Sequence, residues 1–238
     1  MLIVTAIALL ITSCSKSSDP APTTEPEVNT GTVAFNKLIT VLNFGADMPA
    51  GSQPLDQQAP IYFSLENNSA VQLDYKLTNR WDISFSSIYR SFMSGNNGAD
   101  KSNPGTGGPG KGGIVCLAKN FDEVVEIPDD SQFKTGTAAV GTDDSGAFGE
   151  GTGYYLYDFG GTIKGDGSYD SQHVAFALSD TRTVIVRTAK GNYAKIQVLS
   201  LYKDLLDPKT WKRDSPHTYL SFKYVLAKAG SKTFTIDK

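Results

Sequence analysis

Residue types suited to metal ligation or nucleophilic attack are scarce here: two histidines and two cysteines in 238 residues. His173 closes the polar run Ser168-Tyr169-Asp170-Ser171-Gln172 and precedes the apolar Val174. An imidazole at the mouth of a strand can face a cleft and offer a ring nitrogen to a metal, and it can equally be a structural hydrogen-bonding group. His217 follows Pro216, has no second ligand near it in sequence, and reads as structural. No nucleophile elbow or zinc-protease helix occurs at local spacing, so no enzyme is expected. The pairs Asp129-Asp130 and Asp143-Asp144 read as solvated turn residues. A weak calcium site from Asp143, Asp144 and Glu150 is the alternative reading of the second pair. Gly105, four residues, Gly110 and Lys111 begin like a phosphate-binding loop, but Gly112 stands where a Ser or Thr must hold magnesium. That stretch is therefore expected to be a flexible connection between strands, with no nucleotide.

The elements that must position these groups are short strands. From Val33 onward, β-branched or aromatic runs alternate with Gly, Asn and Pro clusters about every ten residues, the spacing of an antiparallel all-β fold. Ile61 to Leu65 and Trp81 to Phe85 look like neighbouring strands, the second alternating apolar and polar residues as a half-buried strand does. The clearest hairpin joins Thr183 to Arg187 with Tyr193 to Val198 through Ala189-Lys190-Gly191-Asn192. Tyr219 to Leu226 and Thr233 to Ile236 read as strand, turn, strand. Only Leu199 to Leu206 and Phe121 to Glu126 look helical. Two glycine-rich connections, Ser94 to Gly113 and Thr135 to Gly153, are long enough to suggest function. The expected class is all-β: a single antiparallel domain of many short strands with minor helix.

The N-terminus sets the compartment. Leu2 to Ile11 is almost wholly apolar, too short to span a bilayer, and ends in Ile11-Thr12-Ser13-Cys14, a lipobox. Residues 1–13 are expected to be a lipoprotein signal peptide, with Cys14 the lipidated residue. Met1 leads into the apolar run without a basic segment, so the true start is expected some residues upstream. Residues 14–30, rich in Ser, Thr, Pro, Asp and Glu, cannot bury enough to order and form a tether. The β domain is expected over 31–238. With Cys14 lipidated, Cys116 stands alone, leaving neither an internal disulfide nor a thiolate zinc cluster. A formal charge of -3 and a pI near 5.4 offer no basic face to nucleic acid.

Several segments together resemble the HmuY family of haem-binding outer-membrane lipoproteins. They are Lys76 to Arg90 with Leu77-Thr78-Asn79-Arg80-Trp81-Asp82-Ile83, then Gly110-Lys111-Gly112-Gly113, Phe121-Asp122 with Val124, and Val184 to Tyr202. The last includes Arg187-Thr188 and Gly191-Asn192-Tyr193-Ala194-Lys195-Ile196. The resemblance implies an all-β surface haemophore, anchored in the outer membrane or released from it. It would take haem from host haemoproteins and deliver it to an outer-membrane haem receptor, with oligomers on haem binding a further expectation. It places one axial ligand of the haem iron in the loop before the Val184 strand, where His173 stands; imidazole and thioether both serve in that role. The other belongs to the loop ending in Tyr154-Tyr155-Leu156-Tyr157, yet residues 135–153 contain neither His nor Met. His173 alone, or Tyr154 or Tyr155 as an oxygen ligand or haem contact, are the options left open, together with simple strand packing of the two tyrosines. Lys111, Arg90 and Tyr89 are conceivable donors to the propionates. The competing reading is a surface β module that binds a protein or glycan through its long loops, with Tyr154, Tyr155 and Phe148 as an exposed aromatic patch.

Overall fold

The computed structural model describes residues 32–146, 149 and 151–237. The expected signal peptide, Cys14 and tether lie outside the described residues, as do Phe148 and Glu150. The described chain is all-β, and its helical segments are three-residue 3-10 turns. A five-stranded antiparallel sheet has the order β1 (Leu38–Gly45), β11 (His217–Ala227), β10 (Tyr193–Tyr202), β9 (Thr183–Arg187), β6 (Gly113–Leu117). A four-stranded sheet runs β3 (Ser69–Val71), β2 (Gln58–Ser64), β4 (Ile83–Ser87), β5 (Phe92–Gly95). The hairpin of β7 (Tyr155–Asp158) and β8 (Val174–Ala177) stands apart as a third sheet.

The expected neighbours pair: in β2 and β4, Ile61 opposes Phe85 and Phe63 opposes Ile83. The β9–β10 hairpin sets Tyr193 against Arg187 and Ile196 against Val184. Phe63 and Phe85 from one sheet meet Phe222 from the other, at ring separations of 5.5 and 6.1 Å, in the main core. The opposite face of the large sheet is covered too, by Val124, Phe133 and Phe234 packed on Ile185 and Ala227. Both faces of β9 and β10 are therefore dry.

Both segments expected to be helical are not. Leu199 to Tyr202 continues β10, because Ser200 and Tyr202 pair with Ser221 and His217 while Leu201 and Tyr202 bury completely. Pairing with a long partner strand overrides local propensity there. Phe121 to Glu126 is a turn followed by an isolated bridge from Glu126 to Thr233. The carbonyls of Phe121 and Val124 are taken by the buried Lys195 ammonium, at 2.9 Å each. The closing segment makes that single bridge rather than a last strand.

Trp81 to Phe85 also departs from expectation, being buried throughout instead of alternating. Asp82 is tolerated inside because its carboxylate accepts the amides of Leu65 (2.8 Å), Glu66 (3.2 Å) and Ala189 (3.1 Å). It thus ties the β2–β3 turn to the β9–β10 turn. The glycine-rich connection after β5 is tied down rather than slack. Asn103 donates to the carbonyls of Gly95 (2.7 Å) and Thr135 (2.6 Å). Gly98 is required there, since a Cβ would fall 1.7 Å from the Gly108 carbonyl oxygen.

Candidate functional site

His173 is the last residue of the loop between β7 and β8. Asp158, wholly buried at the end of β7, orders the start of that loop by accepting the amides of Thr162, Ile163 and Lys164 at 2.8 to 3.0 Å. His173 sits at φ +57, donates its amide to Phe159 at 3.2 Å, and receives the Tyr89 hydroxyl on its carbonyl. Its ring is held by two neighbours. The Tyr157 hydroxyl lies 2.9 Å from Nδ1, and the Phe159 ring meets the imidazole edge-on at 4.7 Å. Nε2 has no hydrogen-bond partner among the described residues. Burial pushes the imidazole pKa down, and the nearby Arg213 charge acts in the same direction, so the ring is neutral around pH 7. A neutral imidazole with one nitrogen engaged and the other free is the posture of a metal ligand.

The support behind His173 is aromatic. Tyr89, fully buried, stacks on His217 at 4.2 Å and meets Tyr157 and Tyr202 edge-on at 5.8 and 5.9 Å. Tyr202 accepts the Ala175 amide at 2.9 Å and stacks on Trp211 at 5.3 Å. His217 is a buried support, with Nδ1 3.0 Å from the Ser215 carbonyl and Nε2 buried without a hydrogen-bond partner among the described residues. Non-glycine residues at positive φ gather here: Tyr89 (+54), Arg90 (+49), His173 (+57) and the β-branched Thr218 (+72). Each costs on the order of 1–3 kcal/mol, and such strain concentrates at functional sites.

The rim carries exposed apolar side chains and charges of both signs, with Asp166 and Asp170 beside its lysines. Phe159, Ile163 and Tyr169 on the His173 loop are 44, 46 and 58% exposed. The Arg213 guanidinium lies 4.6 Å over the Tyr169 ring, and Lys212 pairs with Asp170 at 2.8 Å. Lys164, Lys209 and Lys212 line a shallow cavity of about 250 Å³ against Trp211 and Phe176.

Other expected residues are placed elsewhere. Tyr154 and Tyr155 are packed in the core, with the Tyr154 hydroxyl donating to the Ser91 carbonyl and the Tyr155 hydroxyl accepting from Ser91 Oγ, each at 2.6 Å. Neither bonds to His173; the tyrosine that does is Tyr157, two residues along β7. Their burial also removes them from any exposed aromatic patch. Of the conceivable propionate donors, Tyr89 is spent on His173, and Arg90 is buried on the Ala46 carbonyl at 2.7 Å. Lys111 lines a cavity beside the β9–β10 turn. Asp143 is committed to Arg182 (2.7 Å) and Ser145, and no group of three potential metal-binding His, Cys, Asp or Glu occurs among the described residues. Tyr157 was legible as the third tyrosine of Tyr154-Tyr155-Leu156-Tyr157, sharing a strand face with Tyr155 by the two-residue period. Tyr89, expected as a conceivable propionate donor, has no local signal for its contact with His173, and Arg213 has none at all.

A family model described as HmuY protein matches residues 56–224. The chain belongs to the HmuY family. The match runs from just before β2 to Tyr224 in β11, so Tyr89, Tyr157, His173 and His217 of this HmuY-family chain all lie inside it. No curated protein matches the chain. No helix among the described residues is long and apolar enough to cross a membrane.

Proposed function

We propose that this HmuY-family protein is a cell-surface haem-binding lipoprotein, anchored through Cys14, with His173 as an axial ligand of the haem iron. In this role it captures haem from host haemoproteins and delivers it to an outer-membrane receptor. The observation that carries the reading is the His173 imidazole, neutral, oriented by Tyr157, with Nε2 unengaged beside the exposed Phe159 ring. Haem iron is commonly held by an imidazole of this kind. Phe159, Ile163 and Tyr169 supply apolar contact for the macrocycle, and Arg213 with the neighbouring lysines supplies donors for the propionates.

Two features favour single-ligand binding. Tyr154 and Tyr155 have their hydroxyls engaged by Ser91, and Tyr89, a neighbour of both histidines, keeps His217 as a buried support. The test is a haemin titration of the purified protein followed in the Soret region. Saturable uptake with a five-coordinate, high-spin spectrum that His173→Ala weakens or converts supports the reading. Unchanged spectra at saturating haemin would leave the exposed loop aromatics as a protein- or glycan-binding surface. Mass spectrometry of the Cys14 peptide from membranes tests the anchor.

A further inference from the structure

The turn that joins β4 to β5 is strained along its length. Ser87, Tyr89 and Arg90 stand at φ +66, +54 and +49, in the left-handed region that non-glycine residues avoid. Such strain persists only where the surroundings hold it. Ser91 supplies that hold. Its amide closes the turn on the Ile88 carbonyl at 3.0 Å, its carbonyl accepts the Tyr154 hydroxyl at 2.6 Å, and its Oγ lies 2.6 Å from the Tyr155 hydroxyl. Two tyrosines of the β7 region thus anchor the turn from which Tyr89 projects.

What the strained turn delivers is a buried ring with three holds. Tyr89 lies flat against His217 at 4.2 Å and edge-on to Tyr157 at 5.8 Å, and its hydroxyl donates to the His173 carbonyl, 84 positions away. His173 is itself left-handed, at φ +57, and its amide bond to the Phe159 carbonyl is long, at 3.2 Å. A left-handed backbone is disfavoured roughly 5- to 30-fold in a residue with a Cβ. A neutral hydrogen bond is worth roughly fivefold, and more where its loss leaves a carbonyl shielded from water without a partner. The two effects are of one size. The Tyr89 hydroxyl therefore weighs heavily in keeping His173 in the conformer that sets Nδ1 on Tyr157 and leaves Nε2 clear. Because Tyr89 also packs on Tyr157, one side chain supports both the backbone of His173 and the partner that orients its ring.

We infer that Tyr89 is the positioning residue of the haem site, fixing the left-handed backbone of His173 from a turn that Tyr154 and Tyr155 anchor through Ser91. The inference rests on His173 being the iron ligand, and it gives the two tyrosines a part at one remove from the iron. The test is Tyr89→Phe in the full-length protein, which keeps the ring and removes the hydroxyl. In the apo-protein, NMR reads the His173 backbone from the strong contact between its own amide and Hα protons that marks a positive φ. Wild type should show that contact, and Tyr89→Phe should lose it to conformational averaging. In a Soret titration the variant's haemin dissociation constant should rise about fivefold, since affinity scales with the fraction of protein in the competent conformer. Lys195→Met, altered at the opposite end of β10, should change neither reading. Should Tyr89→Phe fail to fold, the wild type carries the test: its Tyr89 hydroxyl proton should exchange slowly, and fast exchange overturns the inference. A positive φ at His173 retained without the hydroxyl overturns it, as does an unchanged dissociation constant. Wild-type protein that takes up no haemin refutes the haem reading instead, and the apo spectra still decide whether Tyr89 sets the His173 backbone.

Discussion

Replacing Tyr157 with Phe removes one oxygen atom from a fully buried ring and leaves its packing against Tyr89 in place. What is lost is the 2.9 Å bond to His173 Nδ1. In a ligated imidazole that nitrogen carries the proton and donates it, and the partner fixes both tautomer and ring orientation. Once the bond is gone, the edge contacts of the Phe159 ring and of the ring at position 157, with the backbone hold at His173, restrain the imidazole without fixing its tautomer. A neutral hydrogen bond contributes about 1 kcal/mol net, and losing such an outer partner typically costs about 10- to 100-fold in metal affinity. The expected result is an increase of about tenfold in the haemin dissociation constant, or about 1.4 kcal/mol. The assay is a Soret titration of wild type and Tyr157→Phe, with urea unfolding of both apo-proteins to separate binding from stability. An unchanged dissociation constant would refute the reasoning, as would a loss no larger than that of a remote variant of equal stability.

Because burial and Arg213 lower the His173 pKa, haemin affinity should hold below the usual histidine range and weaken progressively only once pH falls below that lowered value, where protons compete with the iron for the ring; a haemin titration series from pH 7 to 4 reads this. Burial, with the Glu66 charge, pushes the Asp82 carboxyl up to about 7 despite its backbone donors. The folded value exceeds the unfolded one, so its stabilising contribution is complete below about pH 4 and is lost as pH rises to 7. Asp82→Asn should therefore gain on wild type over that window by a few kcal/mol at most, and parallel unfolding curves at pH 4 and pH 7 would contradict this. Burial raises the Cys116 thiol to about 12, so it should resist alkylation at pH 8 until the protein unfolds, as read by mass spectrometry with and without urea. Lys195→Met strands the carbonyls of Phe121 and Val124, and a loss of about 2 kcal/mol with faster amide exchange over 121–126 is expected.

The sequence by itself determined the all-β class, the β9–β10 hairpin and the candidacy of His173. Alternation, turn residues and a polar-to-apolar boundary are local signals, readable without knowing what lies across the sheet. Tertiary structure decided what those signals leave open. Leu199 to Tyr202 became strand because β11 pairs with it, and Phe121 to Glu126 became a turn because Lys195 reaches its carbonyls from another strand. Tyr154, Tyr155 and Tyr157 are identical side chains within four positions. All three are buried, and only the meeting of β7 with Ser91 and with the His173 loop gives the hydroxyls of two to Ser91 and that of the third to the imidazole. Arg187 and Asp130 are 57 positions apart and join through a 2.8 Å contact that no spacing announces. Strand and turn are fixed by neighbours along the chain, whereas a site is fixed by neighbours in space, whose identity depends on how the sheets stack.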